Sequence, residues 1–424
     1  MGFGHRKNGG HSVRVWQINF SDLSGGAARA AYRLHHALRV AGVDSRMQVV
    51  KTTSGDWTVS SPKDALFKFG TMIRPQLAAL VRGMQKSPPR TPLSPALLPS
   101  RWPALLNESE ADLVHLHWIC GEMMSIEDIG RIKKPVLWTL HDMWAFAGAE
   151  HCPWDDRWVQ GYTRLNRCPD ESGFDLNRWI WNRKRSAWKR PMQIVTPSRW
   201  LADCVRQSVL MRDWPVETIP NAIDTEAWQP IERNLARRLM GFPVESRVVA
   251  FGAMSTGAVV PHKGFDLLLP TLAHLRGQIP GLELVVFGQL RPKNPPDLGF
   301  PVHYTGHLHD DLSLRTLYSA ADVMIIPSRI DNLPNTGVEA LACGTPVVAF
   351  DTCGLPDIVA HQKTGWLAKA FDTEDLACGI VWVLADENRY VQLSEAARKD
   401  AVARYSYPVV AAQYKALYHR LLGG

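Results

Sequence analysis

Asp331 and Glu339, separated by seven residues, stand in the stretch IIPSRIDNLPNTGVEALACGTPVVAFD. The stretch reads as a strand, a polar loop, a short helix of small residues and another strand. A helix starting there directs its free amides toward an anion, and Glu339 is placed to accept hydrogen bonds from ribose hydroxyls. A purely architectural role competes with this one. Thr336 and Glu339 match the S/T-x-x-E capping box, in which the glutamate only closes a helix end. Lys263 precedes another helix in VVAFGAMSTGAVVPHKGFDLLL, after a loop containing Ser255, Thr256 and Gly257. Lysine is a compact charge suited to a diphosphate, and equally a common solvated surface residue.

In the first half, KPVLWTLHDMW ends in His141 and Asp142. Ligands of open α/β sheets bind at the carboxyl ends of strands, so a histidine there can hydrogen-bond a sugar or phosphate oxygen, or simply be a satisfied structural side chain. Gly25 and Gly26 in SDLSGGAARAAYRLHHAL open a helix that stops near Gly42, with Ser24 expected as its cap. Glycine lets an anion approach the helix amides, although a tight strand-to-helix turn alone would also use it. His151, Cys152 and Cys168 form the one local cluster of metal-type side chains, and three ligands without a fourth make a poor zinc site.

These residues need a scaffold that brings them together. VRVWQINF, SRMQVVK, ADLVHLHW, KPVLWTL and QIVTPS alternate with helical patterns in the first half, then RVVAFGA, LELVVFG, VHYTG, DVMIIPS and PVVAFD do so in the second. Such alternation predicts parallel sheets covered by helices. A chain of 424 residues suits two domains with a cleft between them. With 46% hydrophobic and 21% charged residues the composition is globular, and no run is long enough to span a bilayer. The net charge of +7 suits an anionic partner, and no nucleic-acid module accompanies it. Seven cysteines without a CxxC pair fit reduced thiols. The polar N-terminus MGFGHRKNGGH carries no apolar signal core, so the expected location is the cytoplasm.

In their joint order, GGAARAAYRLHHAL, ADLVHLHW, WTLHDMW, VTPSRWL, IPNAID, KGFDLLL and NLPNTGVEALACGTPVVAFDTCGLPDIV resemble the retaining glycosyltransferases of family 4, especially those building bacterial exopolysaccharide such as colanic acid. The resemblance runs from about residue 13 to 420 and implies an α/β GT-B fold, two Rossmann-like doubly wound domains facing across a cleft. The expected division is a disordered tail over 1–12, an acceptor-side domain over 13–216 and a nucleotide-sugar domain over 217–406. A final helix over 407–424 would cross back to the first domain. By the same resemblance Gly25 and Gly26 form the donor-facing loop, His141 contacts the transferred sugar and Lys263 holds the diphosphate. Asp331 and Glu339 are the two acids of the family's E-x7-E motif, the first near the sugar and the second on the ribose. Amides around Asn335 and Thr336 line the phosphates.

Two positions depart from that pattern. The first acid is aspartate, one methylene short, and where the family commonly has an arginine before the lysine this chain offers only His262. The implied reaction retains anomeric configuration, uses a nucleotide-diphosphate sugar as co-substrate, and needs no cofactor and no metal. The acceptor would be a glycan or a polyprenyl-diphosphate-linked saccharide. Two other readings are a non-catalytic sugar-nucleotide-binding scaffold subunit and a sugar-nucleotide epimerase, the latter disfavoured by the motif order. DLNRWIWNRKRSAWKR interleaves Trp179, Trp181 and Trp188 with Arg183, Lys184, Arg185, Lys189 and Arg190. This pattern suggests peripheral contact with the inner face of the cell membrane through 175–190, or a solvated helix whose tryptophans belong to the core.

Overall fold

The computed structural model describes residues 12–86, 91–252 and 261–423. Most of the expected tail and the loop residues Ser255, Thr256 and Gly257 lie outside them. The first sheet comprises β1 (Arg14–Ser21), β2 (Asp44–Lys51), β3 (Val59–Ser60), β4 (Leu113–Leu116), β5 (Val136–Thr139), β6 (Gln193–Thr196) and β7 (Val216–Thr218). The second comprises β8 (Arg247–Gly252), β9 (Leu282–Phe287), β10 (Val302–Gly306), β11 (Val323–Ile326), β12 (Val347–Phe350) and β13 (Gly365–Ala368). Their orders are β3-β2-β1-β4-β5-β6-β7 and β10-β9-β8-β11-β12-β13, with parallel pairing throughout, and this is the GT-B architecture. Every residue of β4, β5, β6, β11 and β12 is buried, because helices cover both faces of a parallel sheet.

In each sheet the strand order reverses beside the first strand, between β1 and β4 and between β8 and β11. Such a switch point opens a crevice at the carboxyl ends of the strands. Helix α1 (Gly26–Val40) follows β1 and buries Ala30, Leu34, Ala37 and Leu38. Its cap is Gly25, at φ 92° and without a side-chain cap hydrogen bond, where Ser24 was expected. The helix Tyr407–Leu421 packs on α1 and buries Val410, Tyr414 and Tyr418 against the first sheet's core. Among the described residues no helix is long and apolar enough to cross a membrane.

Candidate functional site

Residues from both sheets line a cavity of about 400 Å³. The first half contributes Gly26 and Ala27 at the start of α1, Trp118 after β4, and His141 and Asp142 after β5. Facing them are Gly252 at the end of β8, Lys263, Ser328 and Asp331 after β11, and Asn335 and Thr336 at the start of the helix Asn335–Ala342. Two asparagines tie these walls together. Asn332 accepts from Ser198 Oγ at 2.5 Å and donates to the carbonyls of Leu140 and His141 at 3.4 and 3.3 Å. Asn335 donates to the Gly26 carbonyl at 2.9 Å and accepts from Asn221 Nδ2 at 3.2 Å.

Lys263 and Asp331 meet inside the cavity at 2.6 Å, and Ser328 Oγ donates to the same carboxylate oxygen at 3.0 Å. The turn that delivers Lys263 is tight. Gly264 has φ 67°, and a Cβ there would stand 1.9 Å from the Pro327 carbonyl oxygen, so only glycine lets the turn press against the end of β11. The lysine ammonium thus reaches the cavity with its position already fixed, in place to meet an anionic group.

On the opposite wall, buried hydrogen bonds hold His141. Its Nε2 lies 3.2 Å from His117 Nδ1, and His117 Nε2 lies 2.7 Å from Gln17 Oε1. Gln17 donates to Tyr418 Oη, which lies 2.8 Å from His115 Nδ1. Because Gln17 Oε1 only accepts, the proton of neutral His117 sits on Nε2 and its Nδ1 receives the proton of His141 Nε2. That leaves His141 Nδ1 as an acceptor. Burial pushes the His141 ring down to about 4 against a weaker opposing effect of Asp142, so the ring is neutral near pH 7. Asp142 is anchored by His151 Nδ1 at 2.6 Å, Trp118 Nε1 at 3.0 Å and the Trp144 amide at 2.9 Å. Burial acts to raise its carboxyl, but His151 and these donors outweigh it and hold the group below its ordinary value.

Several expected residues stand elsewhere. Glu339 does not line the cavity and does not close a capping box, since its helix is preceded by Pro334 and carries no side-chain cap. Its carboxylate is buried, taking Arg33 Nη1 at 2.7 Å and Tyr318 Oη at 3.0 Å. Gly26 and Ala27, and not Gly25, meet the cavity. The His262 ring is likewise absent from the lining, and its carbonyl instead holds the amides of Arg329 and Ile330. His151 engages Asp142 and Ser94 through its two ring nitrogens, so the cysteine-bearing stretch builds no ligand set.

The tryptophan-rich segment also turns inward. In the helix Leu176–Ala187, Trp181 and Lys184 are buried, and Trp188 beyond its end is buried too. Lys184 Nζ donates to the carbonyls of Trp144, Ala147 and Gly148 and lies 3.9 Å from the Trp144 ring centre. Trp181, Lys184 and Trp188 pack the core of the first half, whereas Trp179, Arg185, Lys189 and Arg190 reach the surface.

Arg33, Asn332, Asn221 and Tyr318 were not singled out from the sequence. Arg33 carried a readable signal, since it falls at the core-facing spacing of α1, beside Ala30 and Ala37, where a charge needs a buried partner.

Residues 24–227 match the family described as Glycosyltransferase Family 4, and residues 251–400 match the one described as Glycosyl transferases group 1. Over 219 residues the chain is 31% identical to a D-inositol 3-phosphate glycosyltransferase of Segniliparus rotundus, covering 49% of this chain and 48% of that one. Over 212 residues it is 33% identical to the protein of the same name from Saccharomonospora viridis, covering 45% and 47%. The chain thus spans about half the length of the curated relatives it matches. Among solved structures it resembles sucrose-phosphate synthase of Thermosynechococcus elongatus, with TM-score 0.65, 19% identity and coverage of 97% and 99%. Anabaena HepE in complex with UDP-glucose gives TM-score 0.64, 16% identity and coverage of 96% and 99%. WaaG, a glycosyltransferase involved in lipopolysaccharide biosynthesis, gives 0.61, 17% and coverage of 97% and 100%.

Proposed function

This chain belongs to the glycosyltransferases of family 4 and group 1, and from that premise we propose that it moves a sugar from a nucleotide diphosphate onto a glycan or polyprenyl-diphosphate-linked saccharide in bacterial polysaccharide synthesis. The observation that carries the reading is the Lys263–Asp331 pair, 2.6 Å apart on one wall of the cavity whose other wall bears His141. Lys263 and the amides at Asn335 and Thr336 neutralise the departing diphosphate, without a metal or other cofactor. His141 accepts a hydrogen bond from a sugar hydroxyl through Nδ1, and Asp331 keeps the lysine oriented until donor arrives. Complexes of Anabaena HepE with UDP and with UDP-glucose support a nucleotide-sugar donor in this architecture.

The transfer retains anomeric configuration. The acceptor oxygen bonds the anomeric carbon on the face that the diphosphate leaves, the carbon–oxygen bond to the diphosphate breaks, and the acceptor proton passes to the departing phosphate oxygen. The cavity wall offers Lys263 to stabilise that developing charge, and the carboxylate of Asp331 is already occupied by that lysine.

Thermal melting with UDP, GDP and ADP, CMP and their common sugar conjugates tests the donor site, since a ligand of the folded state raises Tm. One nucleotide class should raise Tm in the native chain and lose its effect in Lys263→Ala. Equal shifts in both proteins, or no shift with any nucleotide, would remove the support for Lys263 as the diphosphate ligand. Proton NMR of the product gives the anomeric configuration, and inversion would refute the same-face transfer.

A further inference from the structure

Six polar side chains are buried in one layer between the first sheet and the helix Tyr407–Leu421. Gln17 on β1 stands beside His115 on β4 in the parallel register, and Thr139 on β5 lies two residues beyond the partner of His115, on the same face. His117 follows on that face past the end of β4, its ring stacked on His115 at 4.2 Å. Tyr414 and Tyr418 reach this layer from the helix, and none of the six is more than 2% exposed. A buried polar group costs stability unless it finds a partner, so leucine would fill such a layer more cheaply. Here the six form a continuous row of hydrogen bonds, and one end of the row is His141 at the cavity.

The row can run in two senses through the same heavy-atom positions. Gln17 turns Oε1 to His117 Nε2 at 2.7 Å and Nε2 to Tyr418 Oη at 3.3 Å, which puts the proton of each of His117 and His141 on Nε2. Tyr418 accepts from that amide and donates to His115 Nδ1 at 2.8 Å, and His115 Nε2 donates to Thr139 Oγ1 at 2.7 Å. Turned end for end, the amide would donate to His117 Nε2, and His117 would donate from Nδ1 to His141. His141 would then show the cavity a donor in place of an acceptor. Imidazole and hydroxyl groups fit either sense, whereas an amide has one accepting end and one donating end. Gln17 is the member of the row that decides.

We propose that Gln17 is a positioning residue for the transfer: its amide, held by Tyr418 and read by His117, makes His141 Nδ1 an acceptor toward the donor sugar. The inference rests on the reading that His141 meets that sugar, and it assigns a part in the reaction to two side chains that never reach the cavity. Tyr418 matters because it receives the donating end of the amide. Without its hydroxyl the observed sense would orphan a buried N–H, while the reversed sense would orphan only an oxygen, which proteins tolerate more often.

Nitrogen NMR of the ligand-free full chain, labelled in histidine, tests this near neutral pH, because the shifts tell a protonated ring nitrogen from a bare one. Loss of a signal in His141→Asn assigns His141. In the native chain His141 should carry its proton on Nε2. Gln17→Met removes the acceptor that fixes His117, and Tyr418→Phe favours the reversed sense, so each should give His141 a population protonated on Nδ1. Val15→Ala, a core truncation on the same strand face, should leave the ring as in the native chain. With the sugar conjugate of the nucleotide that raises Tm, Gln17→Met should lower kcat/KM about threefold to tenfold, the worth of one hydrogen bond, and more than Val15→Ala does. A native His141 protonated on Nδ1 would overturn the proposal. So would a ring unchanged in Gln17→Met or Tyr418→Phe, one altered equally by Val15→Ala, or an unchanged kcat/KM beside a shifted proton. The tautomer is read without ligand, so a failure of the donor reading, seen as no melting shift with any nucleotide, is separate from a failure here.

Discussion

Arg33 Nη1 and Glu339 Oε1 stand 2.7 Å apart although 306 residues separate them in sequence, and the pair joins α1 of the first half to the helix Asn335–Ala342 of the second. Tyr318 donates to the other carboxylate oxygen, and Asp311 lies 3.6 Å from Arg33 Nη2. Burial alone would push the Arg33 guanidinium down, but Glu339 and Asp311 hold it above its ordinary value. The acid that family resemblance assigns to the ribose is, in this structure, the partner of a buried arginine from the facing half. Any hydroxyl approaching Glu339 meets a carboxylate already engaged by Arg33 and Tyr318.

Removing one partner of such a pair leaves a buried charge uncompensated. Arg33→Met and Glu339→Gln should each lower unfolding stability by about 3 kcal/mol, and the double variant should lose less than the sum. Urea unfolding of the nucleotide-free chain measures this. Losses that simply add would mean that the two side chains do not stabilise one another.

Lys263 is fixed by Asp331, whose carboxylate is itself held by Ser328, before any ligand enters. Lys263→Ala should lower kcat about 10²-fold to 10³-fold, the usual cost of losing one preorganised group at a developing charge. Lys263→Arg should recover only part, because a planar guanidinium cannot occupy the place of a compact ammonium. Initial rates at saturating donor decide the point, and a loss confined to KM would assign Lys263 to ground-state binding alone.

The sheet strands were legible because parallel strands covered on both faces are continuous apolar runs. RVVAFGA became β8, LELVVFG β9, DVMIIPS β11 and PVVAFD β12. The edge strands β3 and β7, two and three residues long, are too short to show any period. The cavity positions of His141, Lys263 and Asp331 followed from strand ends and helix starts, which are local features. Glu339 could not be placed that way. Whether it caps a helix, faces a ligand or pairs with a charge depends on Arg33, and nothing within its own stretch encodes that contact. The same limit applied to Lys184. Its helical neighbours suggested a charged surface, while the carbonyls that receive it come from 36 to 40 residues away.

Two glycines with similar backbone separate conformational cost from steric cost. Gly264 has φ 67° and its missing Cβ would stand 1.9 Å from the Pro327 carbonyl oxygen, while Gly241 has φ 73° and open space around it. Gly241→Ala should cost about 1 kcal/mol, the penalty of a left-handed alanine. Gly264→Ala should cost more than about 2 kcal/mol, because the turn must also withdraw from β11. It should weaken nucleotide binding as well, since Lys263 moves with the turn. Equal melting temperatures for the two variants would contradict the close approach.

Acid should destabilise the chain above the usual carboxylate range. Burial pushes His35 down to about 3 and His141 to about 4, and it holds His115 and His117 well below their ordinary value. In the unfolded chain each titrates near 6.5, so between pH 6.5 and about 4 the unfolded state binds protons that the folded state refuses. The contribution of these histidines is therefore complete above pH 6.5 and is lost as pH falls through that window. Glu150, raised to about 8 by burial, works in the opposite sense, because its folded form keeps a proton that the unfolded form releases above about 4.5. Four histidines against one glutamate leave a net proton uptake on unfolding. Stability from urea titrations should consequently fall by at least about 1.4 kcal/mol per pH unit between pH 6 and 5, the slope of one net proton. A flat profile would mean that the histidine chain behind His141 accepts protons without unfolding, and that His141 is not held neutral at the cavity wall.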